Sequence, residues 1–215
     1  MRTMKRMLVL MGCAALVLSG SPGASAQGAT VERLPVRWHM QSGNPHMSLV
    51  GEGAVAQLRR NDNGISYSIS TTGLRAGHAH TVWVVVINNR AACTATPCSP
   101  ADILLNPATQ SQVTYGSGHV VGASGEAGFG GALKRGSLPD GWLPGQGLDD
   151  PMGAEVHLVI NDHGPVLPDL MPEMIHTYRT GCTDESLPAI FPATAKADGT
   201  PGPNTCQLRQ VVVFD

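Results

Sequence analysis

Apolar residues fall in short runs that alternate with turns, and most runs repeat with a period of two. Residues 47–60 read as an extended segment, Asn61-Asp62-Asn63-Gly64 as a tight turn, and 65–70 (ISYSIS) as the return strand. Asn/Asp-Gly between extended runs supplies the positive φ that a hairpin turn needs. A second turn at 72–77 (TGLRAG) leads into 78–88 (HAHTVWVVVIN). That run is apolar on both parities and rich in β-branched residues, which predicts a central strand buried on both faces. Further strands are predicted at 112–122, 127–133, 154–161 and 207–214, and the turn Ala123-Ser124-Gly125-Glu126 suggests that 112–133 forms a hairpin. Residues 134–151 are a Gly/Pro-rich loop, and 164–205 are irregular with seven prolines and one short helical turn at 168–177. Seven or eight short strands predict an all-β chain: a single antiparallel β-sandwich of Ig-like or Greek-key type with long irregular loops.

The first 26 residues do not belong to that pattern. Arg2, Lys5 and Arg6 precede the apolar run 7–18, and Ala24-Ser25-Ala26 is a small-residue cleavage signal. These features predict a Sec-type signal helix cleaved after Ala26, leaving a sandwich domain over 27–215 in the periplasm or outside the cell. Twelve apolar residues are too few to span a bilayer of about 30 Å, and no later segment predicts a membrane span. The chain has 215 residues and a formal charge of −2, and cleavage removes three cations, so the mature 189 residues carry −5. Only 14% of residues are charged, with 26 Gly and 16 Pro, which excludes a coiled coil or helical bundle. No basic run marks a nucleic-acid binder.

Export gives the cysteines a meaning. Cys13 lies in the signal, and Cys93, Cys98, Cys182 and Cys206 remain. An even number in an oxidising compartment reads as two disulfides, for which Cys93–Cys98 and Cys182–Cys206 is the simplest of three pairings. A zinc site on the Cys93-x4-Cys98 spacing lacks a matching second knuckle. A redox enzyme working through Cys93 and Cys98 would need an exposed, easily reduced pair.

Eight histidines carry the remaining chemistry. His78 and His80 are two apart and share a strand face. His119 sits in the 112–122 strand, and His157 shares a face with Glu155 and Val159. Two imidazoles from one strand and others from its neighbours can build a copper or zinc site, so His78, His80, His119 and His157 form a candidate ligand set. Glu155 or Asp162 could add a carboxylate ligand, and Glu155, Asp162 and His163 are candidates to orient those rings. The alternative is structural: Val82, Val84 and Val86 lie on the His78/His80 face, which reads equally well as core, with Trp83 turned to the other side. His39, His46 and His176 have no supporting neighbours. Trp38, Trp83 and Trp142 are too scattered for a sugar-stacking platform. No nucleophile elbow, phosphate loop or dinucleotide fingerprint occurs, and the carboxylates Asp149, Asp150, Glu155 and Asp162 do not suggest a glycosidase pair.

The string GLRAGHAHTVWVVVINN, CTATPCS, YGSGHVVGASGEAGFGGAL and DPMGAEVHLVINDHGP with a late Cys pair resembles a family of uncharacterised secreted bacterial proteins. More distantly, the glycine turn before a His-bearing strand resembles CHRD-type domains and the Cu,Zn superoxide dismutase sandwich. In the dismutase, His-x-His after such a turn supplies copper ligands, which the resemblance maps to His78 and His80. The dismutase's clustered zinc ligands, bridging histidine and late catalytic arginine have no counterpart here. The resemblance therefore implies a sandwich fold more than dismutation. Two functions are expected: a non-catalytic binding or structural module for an extracytoplasmic ligand or protein partner, or a Cu/Zn-binding protein, either a carrier or a redox enzyme.

Overall fold

The computed structural model describes residues 28–43, 46–138 and 140–215. The expected signal segment lies outside them. Eleven strands are described: β1 Thr30–Pro35, β2 Arg37–Trp38, β3 Val55–Asn61, β4 Gly64–Thr71, β5 His78–Ile87, β6 Ser111–Val120, β7 Ala127–Lys134, β8 Gly136–Ser137, β9 Gly147–Leu148, β10 Glu155–Pro165 and β11 Gln207–Phe214. They form a four-stranded sheet in the order β1-β3-β4-β7, a five-stranded sheet in the order β2-β11-β10-β5-β6, and the small pair β8-β9. All pairs are antiparallel. The chain is the all-β, sandwich-like fold that its period-two pattern predicts.

Alternation builds the core between the two large sheets. Leu58, Ile65, Tyr67, Ile69 and Phe129 meet Val82, Val84, Val86, Val156, Leu158, Ile160, Val212 and Phe214. The β3–β4 hairpin forms as expected, with Asn61 opposite Gly64. Its positive φ falls on Gly64, at 152°. A Cβ on Gly64 would lie 2.1 Å from the Leu133 carbonyl oxygen of β7, so close strand approach requires glycine as well.

Two expectations need correction. Residues 112–133 are not a hairpin: β6 pairs with β5, and β7 pairs with β4 in the other sheet. The 123–126 turn is a corner between sheets, held where Leu74 N–H donates to the Gly125 carbonyl at 3.1 Å. The segments expected as long irregular loops also form part of the packed structure. Trp83, Val85, Ile87 and Val113 on the outer face of the five-stranded sheet pack against Cys98, Ile103, Trp142, Tyr178, Leu187 and Ala195 from the loops. A strand apolar on both faces needs cover on both. The loops supply it as a third layer, with helices α1 Pro100–Leu105, α2 Met171–Met174 and α3 Ala193–Lys196. Disulfides Cys93–Cys98 and Cys182–Cys206 staple this layer in the expected pairing. They suit an oxidising, extracytoplasmic environment. Among the described residues, no helix is long and apolar enough to cross a membrane.

Candidate functional site

The histidines divide between the two faces of the five-stranded sheet. In the pairing register, Asp162 lies opposite His80, His80 opposite His119, and Gln207 opposite Asp162. Directly opposed residues share a face, so this polar row crosses four strands at one end of the inter-sheet core. His78 donates through Nδ1 to Asp162 Oδ1 at 2.8 Å, and Gly164 N–H donates to the same oxygen at 2.8 Å. His80 is fully buried, and burial pushes its pKa down to about 4 despite the nearby Asp162. Its Nδ1 donates weakly to the His78 carbonyl at 3.4 Å, which leaves Nε2 of the neutral ring as a lone pair.

That lone pair faces another. His80 Nε2 and Asp162 Oδ2 are 3.8 Å apart, both buried and both without a hydrogen-bond partner. Arg75 reaches to within 3.6 Å of Asp162 Oδ2 from a half-exposed position. His119 is exposed and lies edge-on to Phe129, with ring centroids 6.1 Å apart. His78, His80, His119 and Asp162 thus share one face and one end.

His157 is elsewhere. It pairs with Val85, and both line the outer face. On β10, Val156, Leu158 and Ile160 point inward, so His157 must point outward with Glu155. The four candidate imidazoles therefore do not converge on one point. Glu155 Oε1 accepts from His157 Nε2 at 2.6 Å and from Cys98 N–H at 2.8 Å. Burial pushes the Glu155 carboxyl up, but these two bonds outweigh it and hold its pKa below the ordinary value.

His163 is also outside the row. Its Nδ1 donates to the Thr180 carbonyl at 3.0 Å, and its Nε2 accepts from Thr81 Oγ1 at 2.8 Å. Thr81 Oγ1 in turn accepts from Trp83 Nε1 at 2.9 Å. Ligand atoms of His163, Cys182 and Cys206 lie within 4.8 Å of one another, the closest such grouping among the described residues. The two sulfurs are bonded to each other and both ring nitrogens are engaged, so this group has no thiolate or free imidazole for a metal.

Over the outer face lies a cavity of about 310 Å³ between the sheet and the loop layer. Trp83 and Trp142 sit 4.9 Å apart, Trp142 and Tyr178 4.8 Å, and Tyr178 and Phe191 5.2 Å. His39, Met40, Met47 and His157 also line it. The Trp142 indole N–H is buried and has no acceptor, whereas a buried indole usually finds one. Trp83 and Trp142, which are far apart in sequence, thus do form an aromatic array. Trp38 stays outside it, beneath the Arg209 guanidinium at 5.0 Å. Sequence reasoning missed Trp142, Tyr178, Phe191 and His39, because loop residues have no periodicity to show what they face. The only available hint was aromatics set within Gly/Pro-rich segments, Phe191 among them inside the Cys182–Cys206 loop.

No family model, curated protein or solved structure matches the chain.

Proposed function

We propose that this protein is an exported, disulfide-stapled, non-catalytic binding module that holds a small apolar ligand over the outer face of its five-stranded sheet. The cavity carries this reading. At about 310 Å³ it falls at the lower end of ordinary ligand pockets. Its lining is aromatic and aliphatic, with few polar groups. Calorimetric titration with naphthalene and with 1-decanol tests it. At least one is expected to bind at one site per chain. Val159→Phe, which enlarges a half-buried outer-face residue of β10 that lines the cavity, is expected to abolish binding. Absence of binding by both probes contradicts the proposal, as does undiminished binding in the variant.

The facing lone pairs of His80 and Asp162 favour a second reading, a cation site at the end of the sandwich. A zinc or copper ion about 2.0–2.1 Å from each atom would fit between atoms 3.8 Å apart at an angle wider than tetrahedral. His80 and Asp162 would hold such an ion, with His78 fixing the carboxylate, and Arg75 would oppose it. The ion would supply Lewis acidity or, as copper, redox chemistry. Loading the folded protein with zinc or copper is expected to give near-stoichiometric metal that His80→Ala loses. No retained metal contradicts this second reading.

A further inference from the structure

The polar groups around the cavity define the chemistry of its ligand more narrowly than its size does. Among the described residues, no Lys, Arg, Asp or Glu side chain lines it. Burial pushes the pKa of His39, one of its lining residues, down to about 4, so that imidazole is neutral near pH 7. No side chain of permanent charge therefore awaits an ionic ligand there, and moving an ion from water into such a lining is costly.

His157 contributes one directed acceptor. Its Nε2 is 2.6 Å from the Glu155 carboxylate, which also accepts from Cys98 N–H. A carboxylate only accepts, so Nε2 carries the hydrogen, which in a neutral imidazole leaves the lone pair on Nδ1. None of the described residues donates to that nitrogen. Glu155 thus fixes the tautomer of a lining imidazole, as a carboxylate does for a metal-bound histidine.

The rest of the lining selects shape. Trp83, Trp142, Tyr178 and Phe191 pack with centroids about 5 Å apart in tilted and edge-on pairs, the spacing at which another flat ring extends the array favourably. The volume of about 310 Å³ is roughly twice that of a cavity which admits one benzene ring.

From these observations, and resting on the reading of the cavity as a ligand site, we propose that it binds a neutral, flat aromatic molecule of about two fused rings bearing one O–H or N–H donor, which His157 Nδ1 accepts. The ring lies against the Trp83–Trp142–Tyr178–Phe191 array.

The test compares four probes calorimetrically at pH 7.5: 2-naphthol, 2-methoxynaphthalene, 2-naphthoate and 1-decanol. The methoxy compound keeps the rings and the oxygen but loses the donor. 2-Naphthol is expected to bind about tenfold more tightly than 2-methoxynaphthalene, the size of one good hydrogen bond, and more tightly than 2-naphthoate or 1-decanol. In His157→Phe the two neutral naphthyl probes are expected to become equal. That variant leaves Glu155 with a single donor and can weaken the fold, so the ratio of the two probes on the unaltered protein stands as a test by itself. Equal affinity of 2-naphthol and its methyl ether overturns the proposal, and so does a preference for the carboxylate or the alkanol. Preference for the alkanol leaves the cavity a ligand site, whereas failure of all four probes removes that reading too.

Discussion

Asp102 shows how much a single buried side chain does in the loop layer. Its carboxylate accepts from Thr94 N–H at 2.9 Å, Thr94 Oγ1 at 2.8 Å, Ser99 N–H at 2.9 Å and Ser99 Oγ at 2.7 Å. It thereby caps α1 and pins the Cys93–Cys98 loop. These donors, the Thr94 N–H first among them, hold its pKa well below the ordinary 3.8. A carboxyl depressed on folding contributes stability that is present above its ordinary pKa and lost as pH falls through the folded value. Asp102→Asn is therefore expected to be less stable than the unaltered protein at pH 7, and to lose less further stability below about pH 4. Denaturant unfolding across pH 2–7 measures both, and parallel pH profiles contradict the assignment. At this scale, parity in the sequence already separates His78 and His80 from Trp83. It does not separate His157 from them, because β10 is apolar on both faces and only strand pairing fixes which face is inner. The facing lone pairs of His80 and Asp162 are likewise a product of register across two strands more than 80 residues apart in sequence.

Among the elements, those with strong patterns are legible and those at the edges are not. β5 is apolar on both parities, and all but its first residue are buried. β1 carries Glu32 and Arg33 and is mostly exposed, so its edge position gives no hydrophobic pattern to detect. Helix α1 was not anticipated from the sequence, although Ser99-Pro100-Ala101-Asp102 forms a capping box with Pro at the first turn. The same difference in burial predicts the cost of truncation. Leu158→Ala, at a fully buried inner position of β10, is expected to cost about 2–5 kcal/mol. Val31→Ala on β1, where the side chain is 55% exposed, is expected to fall within about 0.5 kcal/mol. Urea unfolding distinguishes them, and equal costs would mean that β1 is as deeply packed as β10.

For the whole molecule, the high Gly and Pro content has two consequences. It makes the short turns of a sandwich, and it builds the loop layer that covers the outer face of the five-stranded sheet. The composition and strand pattern were enough to reach the sandwich and the disulfide pairing. They could not reach the cavity, because its walls include His39, Met40, Met47, residues from 97–104, Trp142, Tyr178 and Phe191, which meet only when the loops close over β5 and β10. The most direct measurement of the central claim is the response of the three tryptophan indole N–H signals in ¹⁵N NMR as naphthalene is added. Ligand in the cavity is expected to shift the signals of Trp142 and Trp83 and leave Trp38 in place. A shift confined to Trp38, or no shift at saturating naphthalene, would contradict it.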